Sequence, residues 1–186
     1  MMENVKKNSA LETALIGSKL LLICAVIAAI VSFVYALTLD VYEKNLQTTK
    51  NEAIGRIFER EGLICESVDG SNVYTVTENG ELIGYCVEAV GKGFGGDIQL
   101  MVGYDKSCAI VAVEVIGHSE TPGVGDKASN ADYLANYAGL SGELTLGEDV
   151  DKIAGASVSS RGVIAGVNAA TEALLSSSLF AGGANQ

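Results

Sequence analysis

The chain has 186 residues, enough for one domain of ordinary size with an appendage. Hydrophobic residues make up 48%, mean hydropathy is +0.31 and charged residues fall to 19%, which excludes a disordered chain and places part of the apolar content in a membrane. The net charge of -11 argues against nucleic-acid binding, the 4 cysteines lack a CxxC spacing and are too few for a disulfide scaffold, and the single histidine excludes a His-rich metal site.

The first element is a run from Leu20 to Leu39, LLLICAVIAAIVSFVYALTL, with no charged residue. As a helix its 20 residues span about 30 Å, one hydrocarbon core. Lys6, Lys7 and Lys19 precede it, so the positive-inside rule puts residues 1–19 in the cytoplasm and residues after 40 outside. A cleaved signal peptide is the alternative, with Val34-Tyr35-Ala36 as its cleavage site. The run exceeds the usual apolar core of such peptides, about 7–15 residues, and an uncleaved anchor over 20–39 is expected. Beyond the anchor, 9 basic residues face 21 acidic ones, so the acidity lies outside.

Residues 41–61 continue as a helix, and 40–70 read as a helical stalk or linker before a domain over 71–186. Residues 72–78 and 81–90 are β-rich and joined by Asn79-Gly80, the strongest short hairpin signal. Two further strands are expected at 98–104 and 108–117, with Asp105-Lys106-Ser107 as their turn. A short helix is expected over 129–138. A longer one is expected from Arg161 to Leu179, where Val163, Val167, Ala170 and Leu174 recur at helical spacing. Strands clustered mid-chain between helices give an α+β fold with a mostly antiparallel sheet and flanking helices. Cys65, Cys86 and Cys108 are an odd number outside the membrane, so at least one has no partner within the chain.

Three stretches carry candidate chemistry. Gly91-Lys92-Gly93-Phe94-Gly95-Gly96-Asp97 lies between two strands, where glycines permit close approach to a flat ligand, a tight bend or a plain flexible loop. It fits neither a P-loop nor a dinucleotide fingerprint, because a strand follows it. The loop His118-Ser119-Glu120-Thr121-Pro122-Gly123-Val124-Gly125 holds the only histidine and the only proline, and a type II turn is expected at Thr121–Val124. Its exposed amides and polar groups suit the edge of a heterocycle; a connecting loop is the plainer reading. The segment from Asp151 to Arg161 leads through Gly155, Ala156 and Ser157 into a helix expected to start near Ser160. Free amides there favour an anion, whereas Ser159 or Ser160 also reads simply as the N-cap. A serine-hydrolase nucleophile elbow would need glycine at 159, where Ser159 stands.

Segment 151–157, DKIAGAS, resembles the flavinylation motif of the RnfG and NqrC family of FMN-binding subunits. HSETPGVG resembles that family's HxETPGLG, with Val124 for leucine, and GFGGDIQLMVGYD resembles its glycine-rich strand segment. Order, spacing and the single anchor agree over roughly residues 15–180. The resemblance implies FMN carried through a phosphoester on Ser157, where threonine is commoner in the family, while Ala154 stands where the family has Ser or Thr. It implies that Asp151, Gly155 and Ala156 are read by an ApbE-like flavin transferase. It also implies a flavin site drawn from His118, Glu120, Thr121, Gly123, Gly95, Ser159 and Ser160, with no catalytic residue and no metal. The expected function is that of an electron-relay subunit, with integral membrane partners of an Rnf-type complex moving electrons between ferredoxin and NAD and coupling this to Na+ or H+ transport. An NqrC-like subunit feeding quinone is the near alternative. A membrane-anchored hydrolase using Ser157 and His118, or a non-catalytic surface-binding domain, are the remote ones.

Overall fold

The computed structural model describes residues 2–181, with side chains described over 15–38 and 47–180. The chain divides into two compact units that meet between Gln47 and Thr48. Helix α1 (Met2–Phe58) contributes to both.

In the first unit, α1 carries the apolar span Leu15–Thr38, 24 residues of mean hydropathy 2.9 with none of it buried in protein. Leu21, Phe33 and Tyr35 are all exposed there, as side chains meant for lipid would be. The polar Thr38 hydroxyl donates back to the Val34 carbonyl at 3.0 Å, which satisfies it within the helix. One helix is therefore long and apolar enough to anchor the chain in a membrane.

In the second unit, five strands run as an antiparallel meander in the order β1-β2-β3-β4-β5. They are β1 (Ile64–Ser67), β2 (Val73–Glu78), β3 (Glu81–Lys92), β4 (Asp97–Tyr104) and β5 (Ile110–Gly117). The β2–β3 hairpin turns at Asn79 and Gly80, with φ of 52° and 85°, the pair of positive angles that a type I′ turn requires. Between β4 and β5, one carboxylate oxygen of Asp105 accepts the Ser107 amide at 2.8 Å, the Ser107 hydroxyl at 2.6 Å and the Ala109 amide at 3.0 Å. These bonds hold its carboxyl below the usual carboxylate range, the Ser107 hydroxyl contributing most.

Each sheet face is covered by a helix. Val87, Leu100, Val102 and Ile110 on one face pack against Val163, Val167, Ala170 and Leu174 of α3 (Ser157–Ser176). The Tyr104 hydroxyl and Thr171 Oγ1 are 2.9 Å apart inside this layer. On the other face Val76, Cys86 and Met101 pack against Ala53, Ile54 and Ile57 of α1. The Lys50 ammonium pairs with Glu88 of β3 at 2.7 Å. Residues 48–67, expected as stalk, thus supply core side chains and an edge strand. β1 escapes sequence reading because only four residues pair and three of them are exposed.

Between β5 and α3 the chain forms a short 3₁₀ turn (Gly125–Ser129), α2 (Ala131–Leu134) and a second 3₁₀ turn (Ala135–Tyr137), where a single short helix was expected. Helix α3 starts at Ser157 and ends at Ser176, each three residues before its expected limit. Gly155, at φ 81°, turns the chain into it. α4 (Ser178–Ala181) closes the described chain.

Candidate functional site

The three motif stretches are far apart in sequence and meet at one end of the sheet. The glycine-rich stretch forms the β3–β4 turn, closed by the Gly93 amide donating to the Gly96 carbonyl at 2.8 Å. The next stretch leaves the end of β5. The third leads into the first turn of α3.

Close packing explains most of the glycines. A Cβ on Gly91 would lie 1.9 Å from the Gly162 carbonyl oxygen of α3, and one on Gly162 would lie 2.6 Å from the Lys92 carbonyl. Strand and helix therefore touch backbone to backbone. Gly91 serves this internal crossing, so the close approach expected for a flat ligand is here made by α3.

Glu120 is the hub. It is 6% exposed, and its Oε1 accepts the Gly95 amide at 2.8 Å while its Oε2 accepts the Ser159 hydroxyl. Its carboxylate fits a gap that a Cβ on Gly93 or Gly125 would fill, at 2.2 Å and 2.3 Å from the carboxylate oxygens. A buried carboxylate needs such donors, because an unpaired one costs several kcal/mol, on the order of its desolvation. One side chain thus links all three stretches.

The loop at Thr121–Val124 turns as expected. Gly123 has φ 77°, and the Thr121 carbonyl accepts the amides of Val124 at 3.2 Å and Gly125 at 3.0 Å. His118 Nδ1 accepts the Glu120 amide at 3.2 Å, so in the neutral ring Nε2 carries the proton, facing Ser129 Oγ at 3.3 Å. Both ring nitrogens are engaged, and neither is bonded to Ser157. The Ser157–His118 pair that the hydrolase alternative would use is therefore not formed in this arrangement.

A cavity of about 380 Å³ opens where these elements meet. Phe94, Glu120, Thr121 and Val124 line one part of it, and Gly155 through Ser159 the other. Its size falls within the range of small-molecule sites, about 300–1,000 Å³. Ser157 is exposed, and α3 starts there with no side chain capping its first amides. A hydroxyl and a helix N-terminus thus sit together on the wall, where a phosphate ester would be both attached and stabilised. The residues present fit a phosphorylated, largely apolar cofactor of moderate size.

Of the expected site residues, Glu120, Thr121, Gly155, Ala156, Ser157 and Ser159 share this wall. His118, Gly123, Gly95 and Asp151 stand outside it. Ser160 is fully buried; its hydroxyl donates to the Ala156 carbonyl at 3.1 Å and accepts the Ile153 amide at 3.2 Å. Neither Ser159 nor Ser160 is the N-cap, which falls at Ala156. Sequence reasoning missed Phe94, Val124 and Val158 as wall residues. A lone aromatic among glycines was the available signal for the first. Two larger and more open hollows, of about 650 Å³ and 840 Å³, lie elsewhere and contain no residue of the three stretches.

Comparison with known proteins bears on this cavity. A family model described as "FMN-binding domain" matches residues 93–172, which hold both the Glu120 loop and Ser157. The chain is 26% identical over 165 residues to the G component of the proton-translocating ferredoxin:NAD(+) oxidoreductase complex of Clostridium ljungdahlii, covering 84% of this chain and 89% of that one. It is 27% identical over 182 residues to the G component of the Na(+)-translocating ferredoxin:NAD(+) oxidoreductase complex of Acetobacterium woodii, covering 81% and 87%. A solved structure, NqrC of Shewanella oneidensis, aligns over 52% of each chain at 27% identity with a TM-score of 0.45. Residues 93–172 thus match an FMN-binding domain, and over most of its length the chain is similar to the G components of ion-translocating oxidoreductase complexes.

Proposed function

We propose that this chain is a membrane-anchored electron-relay subunit holding FMN covalently through Ser157, within a complex that couples electron transfer between ferredoxin and NAD to ion translocation. The observation that carries the reading is the position of Ser157. It is an exposed hydroxyl at the uncapped start of α3, on the wall of the cavity inside the FMN-binding domain. The names of the related G components support the electron donor and acceptor and the coupling, with the ion left as H+ or Na+.

A tether suits a domain outside the cell membrane, where a dissociating cofactor would be lost to the medium. Covalent attachment replaces capture from dilute solution with a high effective concentration. Attachment is a transfer from FAD by an ApbE-like transferase. The Ser157 oxygen bonds to the FMN phosphorus, the pyrophosphate bond of FAD breaks, AMP leaves and the serine proton is released. The resulting diester keeps one negative charge, which the first amides of α3 and the nearby exposed Arg161 offset. The flavin supplies the redox chemistry when bound; the protein supplies position and surroundings. The lysines before residue 20 favour an FMN domain outside the cytoplasm, and integral membrane subunits of the complex are its partners.

Peptide mass spectrometry tests the assignment on the full chain, matured with its transferase. An FMN-sized increment is expected on the peptide containing Ser157, retained in Ser157→Thr and lost in Ser157→Ala. An increment on another peptide, or one that persists in Ser157→Ala, would overturn it. For orientation, protease added to spheroplasts is expected to digest residues 45–186; their full protection would reverse the topology.

A further inference from the structure

Phe94 is 77% exposed, more than any other large apolar side chain described in the second unit. Solvent exposure of a phenyl ring forgoes a large apolar burial, and where it joins other exposed apolar groups around one cavity the patch marks a contact to be made. Its backbone is not free to hide it. The Gly93 amide is bonded to the Gly96 carbonyl at 2.8 Å, the Gly95 amide to Glu120 at 2.8 Å, and Lys92 pairs with Asp97 at 2.9 Å across the base of the turn. The neighbouring positions exclude side chains. A Cβ on Gly93 would strike Glu120, and one on Gly95 would lie 2.2 Å from the Ser119 carbonyl oxygen. The turn therefore presents one large side chain, and that side chain lines the cavity.

Two other exposed apolar groups reach the same cavity from separate segments. Val124 is 48% exposed and follows the Pro122-Gly123 turn; Val158 is 42% exposed in the first turn of α3, beside Ser157. Three apolar groups on three fixed backbones converge on one opening in a strongly acidic domain. We propose that Phe94 is the platform on which the isoalloxazine ring of the Ser157-linked FMN lies, with Val124 and Val158 completing an apolar rim that limits solvent access to the ring. The inference rests on Ser157 as the attachment point. A tether there confines the ring to the reach of its ribityl chain, and Phe94 offers the one aromatic surface on the cavity wall. Stacked or edge-on aromatic contact is the favoured arrangement for such a pair.

Flavin fluorescence tests this without reference to turnover. The full chain is matured with its transferase, purified in detergent, and checked for chain-bound flavin by fluorescence after denaturing gel separation. In Phe94→Trp, an indole in contact with the ring donates an electron to the excited flavin and receives it back, so the emission lifetime is expected to shorten severalfold. In Phe94→Ala, quenching by iodide is expected to rise severalfold and fluorescence anisotropy to fall. If wild type and both variants carry flavin on the chain and these values match wild type, Phe94 is not the platform, and the attachment reading stands. If wild type carries no flavin on the chain, the attachment reading falls first and this inference with it.

Discussion

Glu120 and Ser159, 39 residues apart, are joined by a buried hydrogen bond in which the serine hydroxyl donates to the carboxylate. Through its other oxygen Glu120 also holds the Gly95 amide at 2.8 Å. The glycine-rich turn, the Pro122 loop and the first turn of α3 are thereby fixed to one carboxylate.

Removing that carboxylate leaves a buried hydroxyl and an amide without their acceptor. Glu120→Ala is expected to cost about 1–3 kcal/mol. Glu120→Gln is expected to cost less, since its carbonyl can accept the Gly95 amide and its amide can donate to Ser159 Oγ. Urea unfolding of the full chain in detergent measures both. Equal stability of wild type and Glu120→Ala would show that these bonds contribute nothing.

The β3–α3 crossing permits a contrast between two kinds of glycine. Gly91→Ala places a methyl 1.9 Å from the Gly162 carbonyl oxygen, so the helix has to move; overpacking of this kind costs about 3 kcal/mol. Gly155→Ala meets no atom within 4 Å and is opposed only by its φ of 81°, a strain of about 1–2 kcal/mol. Thermal melts should rank Gly91→Ala below Gly155→Ala, and the reverse order would contradict the backbone contact.

Asp105 has its carboxyl lowered by the Ser107 hydroxyl and by the amides of Ala109 and Ser107. A depressed folded value means that its stabilisation is present above the unfolded value and is lost as pH falls through the folded one. Asp105→Asn should therefore destabilise the chain at neutral pH. Because the group is only partly buried, the loss should be about 1 kcal/mol or less. The gap from wild type should close on acidification below pH 4, roughly the ordinary carboxylate range. A gap that stays constant down to pH 2 or so would assign the effect to shape rather than charge.

The four cysteines are free thiols. Burial pushes Cys86 far up and raises Cys65 and Cys108 by less, so little thiolate forms near neutral pH. Maleimide labelling of the native chain should leave Cys86 unmodified and label Cys65 and Cys108 slowly, faster as pH rises. Denaturation should expose Cys86. Rapid native labelling at Cys86 would contradict its burial on β3 against α1.

Where the code is local, the sequence is legible. Asn79-Gly80 needs only its own positive φ angles to make a hairpin, and Pro122-Gly123 only a few residues to make its turn. The apolar run of α1 announces itself by length. What stays hidden depends on distant partners. Gly91 looks like loop material until Gly162, 71 residues later, is seen to lie against it. Ser159 reads as a cap because a serine before a helix usually is one; its hydroxyl instead serves Glu120. Phe94 escapes notice because nothing in a glycine-rich run says which wall its one large apolar side chain faces.

The Gly91–Gly162 crossing acts as a fixed gauge for the whole site. Side-chain packing between helix and strand can drift as one residue shrinks and a neighbour grows, and the spacing drifts with it. Main chain against main chain has no such slack: the distance is set by the radii of a carbonyl and an α-carbon. Ser157 rides on the same helix, five residues before Gly162, and Phe94 follows the same strand, three residues after Gly91. The separation between Ser157 and Phe94 is thus held by the one kind of contact that substitution elsewhere in the core cannot retune.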